Sequence, residues 1–224
     1  MLKMNKSFKE QGMKKLDDMT LYAITDSRWA EKEAFLVQIE QVLSAGVNVL
    51  QLREKELDDA SFLERAKACK VLCDQYRVPL IINDRVEIAK TIGASGVHVG
   101  QSDLEAGEAR TLLGEEAILG VSAHSVEEAC LAEKNAADYI GVGAMFQTGT
   151  KKDATTLSFD TLREIVQSVT IPVVAIGGIN EDNIEALKGT GISGVAVVSY
   201  IFAKSISKNV NEIVAVSERM ANLD

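Results

Sequence analysis

Short apolar runs alternate with segments of helical period from Thr20 onward. The runs Leu21–Thr25, Val47–Leu52, Leu80–Asn83, Val97–Gly100, Ile118–Ser122, Tyr139–Gly143, Val173–Gly177 and Val195–Ser199 are nearly continuous in apolar residues, the pattern of strands buried on both faces. Helical spacing follows each, over 31–45, 59–76, 85–92, 104–113, 126–136, 159–168, 181–188 and 208–221. In the second helix, Phe62, Ala66, Cys69, Cys73 and Tyr76 fall on one buried face. Asp58, Ser125 with Glu128 as a capping box, and Asn180 supply start signals. The small-residue steps Ala45-Gly46, Ser95-Gly96, Ala137-Asp138 and Ser193-Gly194 precede four of the strands, as expected of one repeated unit. Eight such units predict an α/β fold, a closed (β/α)8 TIM barrel. The alternative is a doubly wound open sheet, but no GxGxxG follows the first strand to suggest dinucleotide binding. The expected division is an N-terminal arm or extra helix over 1–18 and a single barrel domain over 19–224.

Composition narrows the function classes. With 224 residues, 46% of them hydrophobic, the chain buries a full core. A net charge of −9 argues against nonspecific nucleic-acid binding. No run approaches a membrane span. Lys3, Lys6, Lys9, Lys14 and Lys15 are set against Glu10 alone, yet this stretch has no arginine, apolar segment or cleavage site of a targeting peptide. Three cysteines without a CxxC fit a reduced, cytoplasmic protein, with Cys69 and Cys73 as core.

A barrel places its active site at the C-terminal ends of the strands, which selects candidate chemistry. Strand parity puts Gln51, Arg53 and Lys55 on one face, an amide, a guanidinium and an ammonium able to grip a phosphate or diphosphate; a solvated loop is the alternative. Asp84 and Asp103 follow neighbouring strands roughly 5 Å apart, within reach of a shared Mg²⁺, although each also suits a helix cap. Two histidines, neither spaced with a cysteine, make zinc a poor fit. Gly177-Gly178 and Val198-Ser199 end strands seven and eight, where barrels often hold a phosphate. Thr148, Gly149, Thr150 and Lys151 lie in the longest connection, a lid or a mobile surface loop. Ser122 with His124 suggests a nucleophile pair, but no third residue is placed to orient the histidine. His98, within strand four, reads as packed or substrate-touching rather than as a base. Two anion sites in one pocket suggest a transferase joining two phosphorylated groups.

Taken in order, Gln51-Leu52-Arg53-Glu54-Lys55, Ile82-Asn83-Asp84-Arg85, Gly96 to Gln101, Gly120 to His124, Thr148 to Asp153 and Ala175 to Ile179 resemble the thiamine-phosphate synthase family from about Leu21 onward. The resemblance implies condensation of 4-amino-5-hydroxymethyl-2-methylpyrimidine diphosphate with hydroxyethylthiazole phosphate, giving thiamine monophosphate and diphosphate through dissociative, Mg²⁺-assisted loss of diphosphate. It assigns pyrimidine-diphosphate contacts to Gln51, Leu52, Arg53, Glu54, Lys55, Asn83, Ser122 and Lys151, with Arg53, Lys55, Lys151 and Ser122 as the catalytic set. Mg²⁺ falls to Asp84 and Asp103, and thiazole phosphate to Thr148, Gly149, Thr150, Gly178, Val198 and Ser199. Gln147 stands where family members often carry proline. The implied partners are small-molecule substrates without nucleic acid or membrane, and a homo-oligomer is allowed. Rival readings are a thiazole tautomerase using His124 as its acid–base group, and a non-catalytic sensor of thiamine phosphates.

Overall fold

A computed structural model of the chain describes residues 18–26, 28, 32–100, 106–149, 155–203, 215–216 and 218–219. The expected arm up to residue 17 and most of the expected helix over 208–221 lie outside these residues.

Eight four- to six-residue strands form: β1 Leu21–Ile24, β2 Val49–Leu52, β3 Leu80–Asn83, β4 Gly96–Val99, β5 Ile118–Ala123, β6 Tyr139–Val142, β7 Val173–Ile176 and β8 Gly194–Val197. They close in chain order into a parallel barrel. Closure is made by β1, which pairs with β2 (Tyr22 opposite Val49) and with β8 (Leu21 opposite Val195). The helices are α1 Lys32–Ser44, α2 Asp59–Tyr76, α3 Val86–Ile92, α4 Ala106–Leu113, α5 Val126–Lys134, α6 Phe159–Ser168 and α7 Ser199–Phe202.

Alternation along the strands separates two cores. Outward residues such as Leu21, Leu50, Leu52, Leu80 and Ile140 pack against Phe35, Phe62 and Leu162 of the surrounding helices. Inward residues Tyr22, Ile24, Val49, Ile81, Ile118, Tyr139, Val174 and Ala196 fill the barrel, closed below by Met19. Cys69 and Cys73 are free thiols in the outer core, and burial pushes the Cys73 thiol up to about 12.

Three expectations shift. β2 starts at Val49; Asn48, just before it, ties to β1 through its backbone N–H, which donates to Leu21 O at 2.9 Å, and its side chain, which accepts from Leu21 N–H at 2.9 Å and donates to Asp18 at 2.7 Å. The helix expected over 181–188 is a single 3₁₀ turn, Ile184–Leu187, ended before Gly189, whose φ is +69°. Thr25, Gly100, Gly143, Gly177 and Val198 belong to loops, so several strands end sooner than their apolar runs suggest.

Asp58 and Ser125 cap as expected, whereas Asn180 accepts from Asp182 N–H at 2.9 Å and the cap position of the 3₁₀ turn is Asn183. Asp58 accepts from Ser61 N–H at 2.9 Å. Ser125 accepts from Glu128 N–H at 3.2 Å, but the Glu128 carboxylate reaches one residue further back, to His124 N–H at 2.7 Å. No helix among the described residues is long and apolar enough to cross a membrane.

Candidate active site

All eight strands contribute to a cavity of about 510 Å³ at their C-terminal ends. Its polar wall comes from β1 to β6, while Ile24, Val174, Ile176 and Ala196 make an apolar one.

Loop two presents its cations as strand parity requires. Gln51, Arg53 and Lys55 line the cavity. Leu52 and Glu54, expected among the substrate contacts, do not. Leu52 is fully buried in the outer core. Glu54, 2% exposed, accepts from the Thr25 hydroxyl at 2.8 Å and faces Arg65 at 3.4 Å. Thr25 Oγ1 also accepts from Arg53 N–H at 3.0 Å, so Glu54 anchors the strand end that carries Arg53. Among the described residues, the Arg53 guanidinium makes no hydrogen bond or ion pair.

Loop three is bound to loop two. The Lys55 ammonium pairs with Asp84, whose other carboxylate oxygen accepts from Asn83 Nδ2 at 3.0 Å. Asp84 has φ +62°, a left-handed conformation uncommon for a residue with a side chain. Arg85 then reaches back, donating to Glu54 O at 3.0 Å, Leu57 O at 2.6 Å and Asp59 at 2.9 Å, with its guanidinium 4.2 Å over the Phe62 ring. Asp84 is the described residue suited to a metal. Asp103, its expected partner, lies outside the described residues, among which no cluster of three or more His, Cys, Asp or Glu could hold an ion.

Inside the barrel, Ser122 does not pair with His124. Its Oγ lies 2.9 Å from His98 Nε2, whereas His124 Nδ1 faces Glu128 at 3.1 Å. His98 Nδ1 in turn meets the Tyr139 hydroxyl at 3.0 Å. Burial lowers the His98 pKa to about 4, and a phenol is no substitute for the carboxylate that would stabilise an imidazolium. The Ser122–His98 pair is therefore not an activated nucleophile.

Loops six to eight close the other side. Loop six runs beside loop seven, with Met145 N–H donating to Ile176 O and Phe146 N–H to Gly177 O, both at 2.9 Å. Gly178, at φ +67°, permits this approach: a Cβ there would lie 2.4 Å from Gln147 O. Thr148, Gly178, Val198 and Ser199 line the cavity, while Gly149 does not. Thr150 and Lys151 lie outside the described residues. Ser199 opens α7, whose Ile201 and Phe202 N–H groups donate to Val198 O at 3.2 and 3.1 Å.

Sequence reasoning missed Tyr22 and Tyr139, which line the cavity from inward strand positions. Asp26, 5% exposed at the end of β1 and not part of the cavity lining, was also passed over; burial would raise its pKa, but hydrogen bonds and charge from Arg28, with charge from Arg53, outweigh this and lower it. Applying the strand-end rule to β1 as well would have found it.

A closed (β/α)8 barrel whose strand C-termini enclose a cavity with one polar and one apolar wall has the layout of a barrel enzyme. A family model described as thiamine monophosphate synthase matches residues 21–201. A thiamine-phosphate synthase of Clostridium tetani is 48% identical over 195 residues, covering 87% of this chain and 93% of the relative. Another, from Ruminiclostridium cellulolyticum, is 50% identical over 197 residues, covering 88% and 94%. The solved thiamine phosphate pyrophosphorylase from Pyrococcus furiosus superposes with a TM-score of 0.84 at 33% identity, over 93% of this chain and 98% of that one. The chain belongs to the thiamine monophosphate synthase family, and is a transferase.

Proposed function

We propose that the protein condenses 4-amino-5-hydroxymethyl-2-methylpyrimidine diphosphate with hydroxyethylthiazole phosphate, giving thiamine monophosphate and diphosphate. The observation that carries this reading is the convergence of Arg53, Lys55 and Asp84 with Gly178 and Ser199 on one cavity.

Arg53 and Lys55, with Lys151, bind the diphosphate oxygens. The bond from the pyrimidine methylene carbon to oxygen breaks with its electron pair going to diphosphate, and the ring amino group delocalises the resulting cation. The thiazole nitrogen, oriented by its phosphate on Thr148, Gly149, Thr150, Gly178, Val198 and Ser199, donates its lone pair to form the C–N bond. Ile24, Val174 and Ile176 keep water from the cation. Neutral His98 is a poor base, and this scheme requires none.

The Asp84 carboxylate, 21% exposed and paired with the Lys55 ammonium and the Asn83 amide, is a hard oxygen donor of the kind Mg²⁺ takes together with water and phosphate oxygens. Asp84 and Asp103 would hold the ion. When bound, Mg²⁺ supplies charge neutralisation for the departing diphosphate.

Purified protein given both substrates and Mg²⁺ should release diphosphate and form thiamine monophosphate, with neither product when one substrate is omitted. No thiamine monophosphate under these conditions would sink the reading, and isomerisation of thiazole phosphate alone would identify the tautomerase instead.

A further inference from the structure

Where β2 runs out past β1, a single side chain takes over from the sheet. Thr25 N–H donates to Gln51 O at 2.9 Å, one step beyond the paired residues Ile24 and Gln51. Continued in register, a parallel ladder would next bring Arg53 N–H to the Thr25 carbonyl. That amide goes instead to Thr25 Oγ1, at 3.0 Å. A hydroxyl thus stands where the sheet would supply backbone, and the position of Arg53, unlike that of Gln51, depends on a side chain. Thr25 is 0% exposed and takes no part in the cavity lining.

The hydroxyl has one proton, and accepting from Arg53 requires that this proton point away from the amide. Two acceptors are in reach, Glu54 Oε1 at 2.8 Å and Arg53 O at 3.4 Å. The carboxylate oxygen is the nearer and the stronger acceptor. Glu54 is in turn met by the helices. Its Oε2 faces Arg65 Nη1 of α2 at 3.4 Å, and the Arg65 guanidinium lies 4.5 Å over the ring of Phe35 on α1. The outer layer therefore reaches the backbone of a cavity residue through Arg65, Glu54 and Thr25.

We propose that Thr25 is a positioning residue for Arg53, its hydroxyl held in the accepting orientation by Glu54. The Arg53 guanidinium makes no hydrogen bond or ion pair among the described residues, so its backbone is the means by which the protein aims it. Under the proposed function, on which the substrate part of this inference rests, the target is the departing diphosphate. Charge develops there in the transition state, and a displaced guanidinium costs most at that point.

Amide hydrogen exchange, followed by NMR on the full chain without ligand, reads the bond itself. Thr25→Val keeps the branched shape and removes the acceptor. The Arg53 amide should then exchange about tenfold faster, while the residue-25 amide, bonded to Gln51 O, keeps its rate. Thr25→Ser should restore the protection. An Arg53 amide as protected in Thr25→Val as in the unaltered chain overturns the proposal. Steady-state kinetics then separates aiming from support of the fold. Thr25→Val should lower kcat about tenfold with KM for the pyrimidine diphosphate little changed, and Thr25→Ser should recover most of the loss. In an Arg53→Ala background, Thr25→Val should alter the residual turnover by less than about twofold, since no guanidinium is left to aim. Equal losses in both backgrounds would make Thr25 a residue of the fold alone and overturn the proposal. Where Thr25→Val does not fold, Thr25→Cys, which keeps the size but accepts weakly, takes its place in both measurements. Failed condensation with the exchange result intact overturns the proposed function alone, whereas unchanged exchange in an enzyme that joins both substrates overturns the positioning alone.

Discussion

At the N-terminal end of the barrel, Arg110 spends its donors on the protein itself. It bonds Ala136 O at 2.8 Å, Gly114 O at 2.9 Å, Ala117 O at 2.6 Å and Asp138 at 2.6 Å, and Asp138 also accepts from Leu119 N–H at 2.7 Å. At the C-terminal end the Arg53 guanidinium has no such partner among the described residues and faces the cavity. Satisfied donors hold the segments that lead into the strands, whereas an unspent guanidinium retains its capacity for an anion. The same side chain thus serves stability at one end and binding at the other, and the difference lies in which backbone carbonyls surround it.

Substitution should separate the two uses. Arg53→Ala should lower turnover by about 10²–10³-fold while unfolding free energy stays within about 0.5 kcal/mol; steady-state kinetics and urea denaturation check both. Between the two ends, His98 adds a pH term. An unfolded histidine protonates near 6.5, but the folded imidazole stays neutral down to about 4. The unfolded chain binds the extra proton in that window, so stability is full above it and falls as pH drops from 6.5 to 4, by on the order of 3 kcal/mol. Denaturation at several pH values should show this loss, and His98→Gln should remove it. Arg110→Ala should cost about 2 kcal/mol of stability and leave turnover at low temperature unchanged. Loss of activity without loss of stability would dissolve the contrast between the two ends.

Periodicity made the barrel legible because each strand's apolar run and each helix's stripe report burial locally. Parity did the same for Gln51, Arg53 and Lys55. It also separated Leu52 and Glu54 from the cavity, although family resemblance had grouped all five. Tyr22 and Tyr139 escaped notice because an aromatic in an apolar run reads as core, and their 2.7 Å contact joins residues 117 apart. Nothing local encodes that pairing; barrel closure creates it. Asp103 and Lys151 lie outside the described residues, so their geometry adds nothing to what the motifs imply.

Arg85 sharpens the contrast, since it is a well-satisfied arginine at the binding end. Its contacts with Glu54 O, Leu57 O and Asp59, and its stacking on Phe62, hold the loop that carries Lys55. Arg85→Lys keeps the charge but loses the planar fork that spans two carbonyls and a carboxylate. If that loop positions the diphosphate clamp, KM for the pyrimidine diphosphate should rise about tenfold with kcat little changed, because a looser loop weakens substrate and transition state alike. The matching change at the other end, Arg110→Lys, should lower stability and leave KM unaltered. Equal effects of the two substitutions on stability, with no change in KM for Arg85→Lys, would show that Arg85 serves the fold alone and that loop two is ordered without it.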